Sequence, residues 1–206
     1  MIAALMLALV VAPAGAADRR PPVDTCATDV SFAAFRTTLN DAIARRDHIF
    51  ILSILPEDIL VSFGGDGGRE EFAREWRLGE SDSSFWDELR TVLSLGCRIV
   101  ENDFVAPALT SQLGEDEDPF DVVVAVRSGA VMRAEANDAS AVVAALDWDV
   151  LHMRPVETDE AWMALRLQDG REGFVRRSDV RSPIDYRAYF NRANGRWRMT
   201  SFIAGD

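Results

Sequence analysis

The stretch Trp162-Met163-Ala164-Leu165-Arg166-Leu167-Gln168-Asp169-Gly170-Arg171-Glu172-Gly173-Phe174-Val175 reads as a complete β-hairpin. In its first arm Met163, Leu165 and Leu167 point one way, while Trp162, Ala164, Arg166 and Gln168 point the other. Such period-two alternation marks a half-buried strand. Asp169-Gly170 supplies the connection, since a tight two-residue turn needs positive φ at both positions, which Gly takes freely and Asp tolerates. A hairpin by itself names no ligand.

Upstream of the hairpin lie further short strands at Val122 to Val126, Ala141 to Leu146 and Val150 to Val156. Downstream, Tyr186 to Ile203 reads as a second hairpin turning at Asn194-Gly195. Before Val122 the pattern changes. The run Gly114-Glu115-Asp116-Glu117-Asp118-Pro119 is a break in composition that reads as an acidic linker. Ahead of it, Phe32, Phe35, Leu39 and Ile43 follow helical spacing across Asp29 to Phe50, with Asp29 or Ser31 as the cap. Ile59 to Phe63 reads as a strand, Gly64 to Gly68 as a tight turn capped by Asp66, and Arg69 to Trp76 as a helix. A second amphipathic helix from about Ser84 to Leu95 carries Phe85, Trp86, Leu89, Val92 and Leu93 on one side and stops at Gly96.

These features predict an α+β fold: a leader at 1–17, an α+β domain at 18–113, the linker at 114–120, a β-domain at 121–183, and a C-terminal hairpin at 184–206 that returns to complete the first domain. The leader rests on the apolar run from Met1 to Val11, the break at Pro13, and the small residues Ala14-Gly15-Ala16, which suit cleavage after Ala16 or Ala17. Its positive end is the terminal amine alone. The apolar run falls short of the roughly 20 residues that span a bilayer. The expectation is therefore an exported, periplasmic or secreted protein without a transmembrane anchor once the leader is removed.

Val131-Met132-Arg133, Ala141 to Leu146, Trp148-Asp149-Val150-Leu151 and the pattern from Trp162 to Val175 together resemble a bacterial SH3-like domain over about residues 121–182. The resemblance implies a small, strongly bent β-barrel of about five strands that serves as a targeting or binding module, often for cell-wall peptides or partner proteins. The first part, with its Asp29 to Phe50 helix, Asp47 and the Ser62-Phe63-Gly64-Gly65 stretch, resembles nuclear transport factor 2-like cone folds. Those finish with curved antiparallel strands, and too few lie between Arg98 and Gly114.

The formal charge of −12 argues against nucleic acid as a partner, because an acidic chain repels phosphate backbones. All 22 basic side chains are arginines. Residues 171–198 hold eight of them against Glu172, Asp179 and Asp185, a local excess of five positive charges. Candidate ligand contacts are Arg166, Arg171, Arg176 and Arg177, with Trp148, flanked by Asp147 and Asp149, as the exposed aromatic. Cys26 and Cys97 fit either a disulfide or two buried thiols.

No cofactor or metal is expected. Asp66 lies in a Gly-rich turn that lacks P-loop residues, the acidic run lacks EF-hand spacing, and His48 and His152 make no zinc pattern. Ser94-Leu95-Gly96-Cys97-Arg98 superficially resembles the nucleophile segment of L,D-transpeptidases, yet a helix end followed by a half-cystine explains the same residues. The leading expectation is a non-catalytic binding protein recognising a cell-wall peptide or a protein partner. The alternative is a hydrolase or isomerase with a pocket in the first domain near Asp47 and His48.

Overall fold

The computed structural model describes residues 18–62, 67–114 and 116–205. The leader, the Phe63 to Asp66 part of the Gly-rich turn with its Asp66 cap, and Glu115 of the acidic run lie outside the described residues. The fold is α+β: the described residues form four α-helices and two antiparallel sheets.

Helix α1 (Val30–Arg45) begins where the Asp29 carboxylate accepts from Phe32 N, a side-chain cap that satisfies an otherwise orphaned donor. It ends at Arg46, whose φ of 53° is left-handed. That residue ends the helix inside the expected Asp29 to Phe50 span, and of the two readings of Ile49 to Leu55, a continuing helix or a second one, the second forms: α2 (His48–Ile54) starts with Asp47 as its cap, accepting from Phe50 N. Helices α3 (Arg69–Glu75) and α4 (Phe85–Ser94) follow. The apolar side of α4 is buried as Phe85, Trp86, Leu89 and Val92.

Strands β1 (Arg98–Val100) and β2 (Asp103–Ala106) are too few to cover these helices. The remaining strands come from the C-terminus. β10 (Arg187–Ala193) and β11 (Arg196–Ile203) join them in the order β1-β2-β10-β11, with Ala188 opposite Ala106 and Phe190 opposite Phe104. One core results, in which Phe32, Phe72, Phe85, Trp86, Phe104, Phe190 and Phe202 are buried together. Trp197 packs edge-on to Phe32 at 4.9 Å and Phe104 at 4.7 Å, and its indole N–H donates to Ser31 Oγ. The Asn194-Gly195 turn has φ of 51° and 76°, the two positive values a two-residue hairpin loop needs.

Between β2 and β10 the chain builds the second sheet, in the order β5-β4-β8-β7-β6-β3-β9. Its strands are β3 (Val122–Ala125), β4 (Val131–Arg133), β5 (Val142–Ala145), β6 (Val150–Met153), β7 (Trp162–Leu167), β8 (Glu172–Arg176) and β9 (Val180–Arg181). Val123, Ala144, Leu151, Leu165 and Val175 share one core although four strands lie between β3 and β5, so the sheet must curl round it. It does not close: β5 and β9 are edges with no pairing between them among the described residues. The expected barrel of about five strands is not closed among the described residues: the sheet has seven strands, the five read from the sequence plus β4 and β9.

The β7–β8 hairpin forms with a different turn from the one expected. Gly170 N donates to Leu167 O and only Gly170, with φ of 87°, is left-handed. The loop is therefore three residues, a tight turn followed by a glycine, and Asp169 instead fixes Arg171 by accepting from its backbone N. Gly173 has a separate role. A Cβ there would collide with Arg133 O and come within 2.6 Å of Met132 Cγ, which lets β8 lie close against β4.

Three contacts tie the two sheets together. The arm ahead of α1 runs along the second sheet, with Val150 N donating to Asp18 O and Arg20 N to Trp148 O at 2.8 Å, then crosses to the first core through Cys97 N to Val23 O. There Cys26 and Cys97 form a disulfide, both fully buried. Arg20 bonds Asp18, Glu117 Oε1 at 2.8 Å and Gln112 O. Glu117 also accepts from Gly114 N, so the acidic segment is pinned at its middle. From the other side Arg181 of β9, 7% exposed, reaches Glu88 of α4 at 2.7 Å and Tyr186 O at 2.6 Å. No helix among the described residues is long and apolar enough to cross a membrane.

Three outcomes follow for stability. The disulfide closes a loop spanning 71 residues, so C26A/C97A should lose about 4 kcal/mol in urea unfolding by the chain-entropy relation. The Arg20 hydrogen bond holds the Glu117 carboxyl below the usual carboxylate range. A depressed folded pKa stabilises fully above the unfolded value, about 4.3, and less as pH falls through the folded value. Urea midpoints between pH 5 and 3 should fall more steeply for wild type than for E117Q. For G173A, denaturant melts should show a loss of about 1–3 kcal/mol through overpacking.

Candidate functional site

Strands β6 and β7 pair with Met153 opposite Leu165, which sets Met153 and Met163 diagonally on one face of the sheet. After β8 a short 3₁₀ turn, Arg177–Asp179, carries Arg177 up to Met163, with Nη1 3.3 Å from Sδ. These three residues form the shared floor of two clefts. One, of about 600 Å³, continues under the 154–161 connection past Val156, Thr158 and Trp162. The other, of about 230 Å³, continues toward Phe120, Val180 and Ile184.

The floor is apolar and open to water: Phe120 is 47%, Val156 42% and Met153 39% exposed. Exposing such side chains together costs hydrophobic free energy that a partner recovers. The rim is polar and of mixed sign. Arg154 is paired with Glu172 at 2.9 Å. Asp159, Glu160 and Asp185 supply negative charge, and Arg177 forms no ion pair with any described residue. Asp159 and Asp185 already accept backbone N–H bonds from Ala161 and Ser182. The hydroxyls present are structural as well, since Thr158 donates to Trp162 O and Ser182 accepts from Ile184 N.

The residues singled out from the sequence scatter around this groove. Arg177 lines both clefts, whereas Trp148, Arg166, Arg171 and Arg176 line neither. Trp148 is half-buried in a left-handed turn, with φ of 60°, and its carbonyl is taken by the N-terminal arm. Arg166 is exposed on the face opposite the core and forms no ion pair with a described residue. Arg171 is held by Asp169 at 2.8 Å and leans on Val143 O. Arg176 is bonded to Asp138 and lies 4.7 Å from the Trp162 ring centroid, a cation–π contact. The carboxyls of Asp138 and Asp169 are each held below the usual range by their arginine hydrogen bonds. Three of the eight arginines in residues 171–198, namely Arg171, Arg176 and Arg181, are thus paired with carboxylates.

Sequence reasoning missed Phe120, Met153, Val156 and Met163 as a group. Phe120 carried a signal, an aromatic inside an acidic run, while the others read as ordinary strand residues. In the first part, Asp47 is occupied as a helix cap, His48 is exposed beside it, and neither lines one of these clefts. Cys97 is spent in the disulfide and is no nucleophile. No group of three metal-ligating side chains converges among the described residues. Comparison with protein-family models, with curated proteins and with solved structures finds no match.

Proposed function

We propose that this chain is an extracytoplasmic binding protein whose second sheet is a variant bacterial SH3-like module, and that its groove takes an extended peptide carrying apolar side chains and a carboxylate. The observation that carries this reading is the pair of clefts meeting at Met153, Met163 and Arg177, with exposed apolar floor and an unpaired guanidinium. A carboxylate matches the planar fork of Arg177.

Three features support the module. The β6-β7-β8 meander is followed by a 3₁₀ turn, β9 returns beside β3, and the β4–β5 hairpin sits in the long β3 to β6 connection. A buried Cys26–Cys97 disulfide and the leader-like N-terminus support an oxidising compartment outside the cytoplasm. The peptide of a bacterial cell wall has the required chemistry, and a segment of a partner protein is the other source of it.

Purified peptidoglycan should retain the protein at low salt. V156E, at a cleft position 42% exposed and outside the second core, should reduce retention about tenfold, the equivalent of one lost buried contact of roughly 1.4 kcal/mol, without lowering the melting temperature. Absence of retention by wild type overturns the wall ligand. Equal retention of V156E and wild type overturns the groove.

A further inference from the structure

A third cleft lies on the first sheet, away from the groove. It has about 520 Å³ and opens where the β10–β11 turn meets the end of α2, between Pro56, Glu57 and Arg69 on one side and Asn194, Arg196 and Arg198 on the other. Its arginines come from opposite ends of the sequence. Arg69 Nη2 donates to Leu55 O at 2.7 Å, and Arg198 Nη1 donates to Ser53 O at 2.9 Å and Leu55 O at 3.4 Å. These bonds hold two guanidinium groups in place while using few of the five N–H donors each carries. The Nε of Arg69 is shut off from solvent without a hydrogen-bond partner among the described residues.

Arg196 is exposed and makes no side-chain hydrogen bond among the described residues. None of the three forms an ion pair with a described residue, in contrast to Arg154, Arg171, Arg176 and Arg181, each matched to a carboxylate. Among the described residues Glu57 is the one carboxylate along the cleft wall, which gives them an excess of two positive charges in a protein of net charge −12. Capping of the α2 carbonyls accounts for Arg69 and Arg198. It leaves Arg196 unexplained, and it leaves the remaining donors of all three without an acceptor.

We propose that this cleft binds a small oxyanion bearing two or more charged groups, either carboxylates or phosphate, held by Arg196 and Arg198 with Arg69 at the back. The volume falls within the range of small-molecule sites, about 300–1,000 Å³. Planar guanidinium forks favour oxyanions over a halide of equal charge.

The test is a titration of the full chain with citrate and, separately, with inorganic phosphate, each against sodium chloride of matched ionic strength. The readout is the arginine Nε–Hε resonances. Saturable shifts of Arg196 and Arg198 that chloride does not reproduce are expected, with affinity weakened about tenfold or more in R196Q, the order set by one charge-assisted contact. R166Q, which removes an equally unpaired arginine on the other sheet, should bind as wild type does. Response to citrate alone identifies a carboxylate ligand, and response to phosphate alone a phosphorylated one. Shifts no larger than those of chloride, or undiminished binding by R196Q, overturn the proposal. The cleft shares no lining residue with the groove and R196Q leaves the groove intact, so either result leaves the groove reading as it stands.

Discussion

The pairing of β2 with β10 is the constraint on which the architecture depends. Ala106 stands opposite Ala188, so the chain leaves the first sheet and re-enters it at neighbouring positions. Everything between is built from one attachment point, and the first core is incomplete until Phe190 and Phe202 arrive from the C-terminus. Closing so long a loop costs entropy that grows only slowly with its length. Burial of a continuous aromatic cluster, with edge-on contacts such as Phe85 to Phe202 at 5.5 Å, repays it.

A unit hung from two adjacent strands would still pivot. The arm from Asp18 to Cys26 restrains it by bonding the second sheet at Trp148 and Val150 before the disulfide locks it into the first core. Arg20 with Glu117, and Arg181 with Glu88, brace opposite sides of the same junction. Both ion pairs are partly shielded from water, where screening weakens them less than at the surface.

An all-arginine basic complement makes charge counting a poor guide to binding here. Arginine forms directed, bidentate bonds, and this fold uses many of its guanidinium groups internally, on Asp138, Asp169, Glu88, Glu117 and carbonyls at the end of α2. What remains open for a ligand is set by geometry. Arg177 is left at the apolar groove, and Arg69, Arg196 and Arg198 at the polar cleft.

Local physics made much of the fold legible. Alternation from Met163 to Leu167, helical spacing in α1 and α4, the Asp29 cap and the Asn194-Gly195 turn each depend on residues a few positions apart, and each forms. The break at Arg46 and the three-residue turn at Gly170 escaped because the left-handed residue that ends a helix or closes a turn is chosen by packing as well as by local preference. The candidate sites were barely legible. Met153 and Met163 become one surface only through the β6–β7 register, and Arg69 meets Arg196 only because the C-terminal hairpin folds back across the first sheet. The sequence by itself determined the elements, the two hairpins and the acidic, arginine-only character of the chain, since those are properties of short windows and of composition. Tertiary structure alone decided that the second sheet stays open, which arginines are spent and which remain, and where the clefts lie, because each of these is a relation between residues distant in sequence that packing brings together.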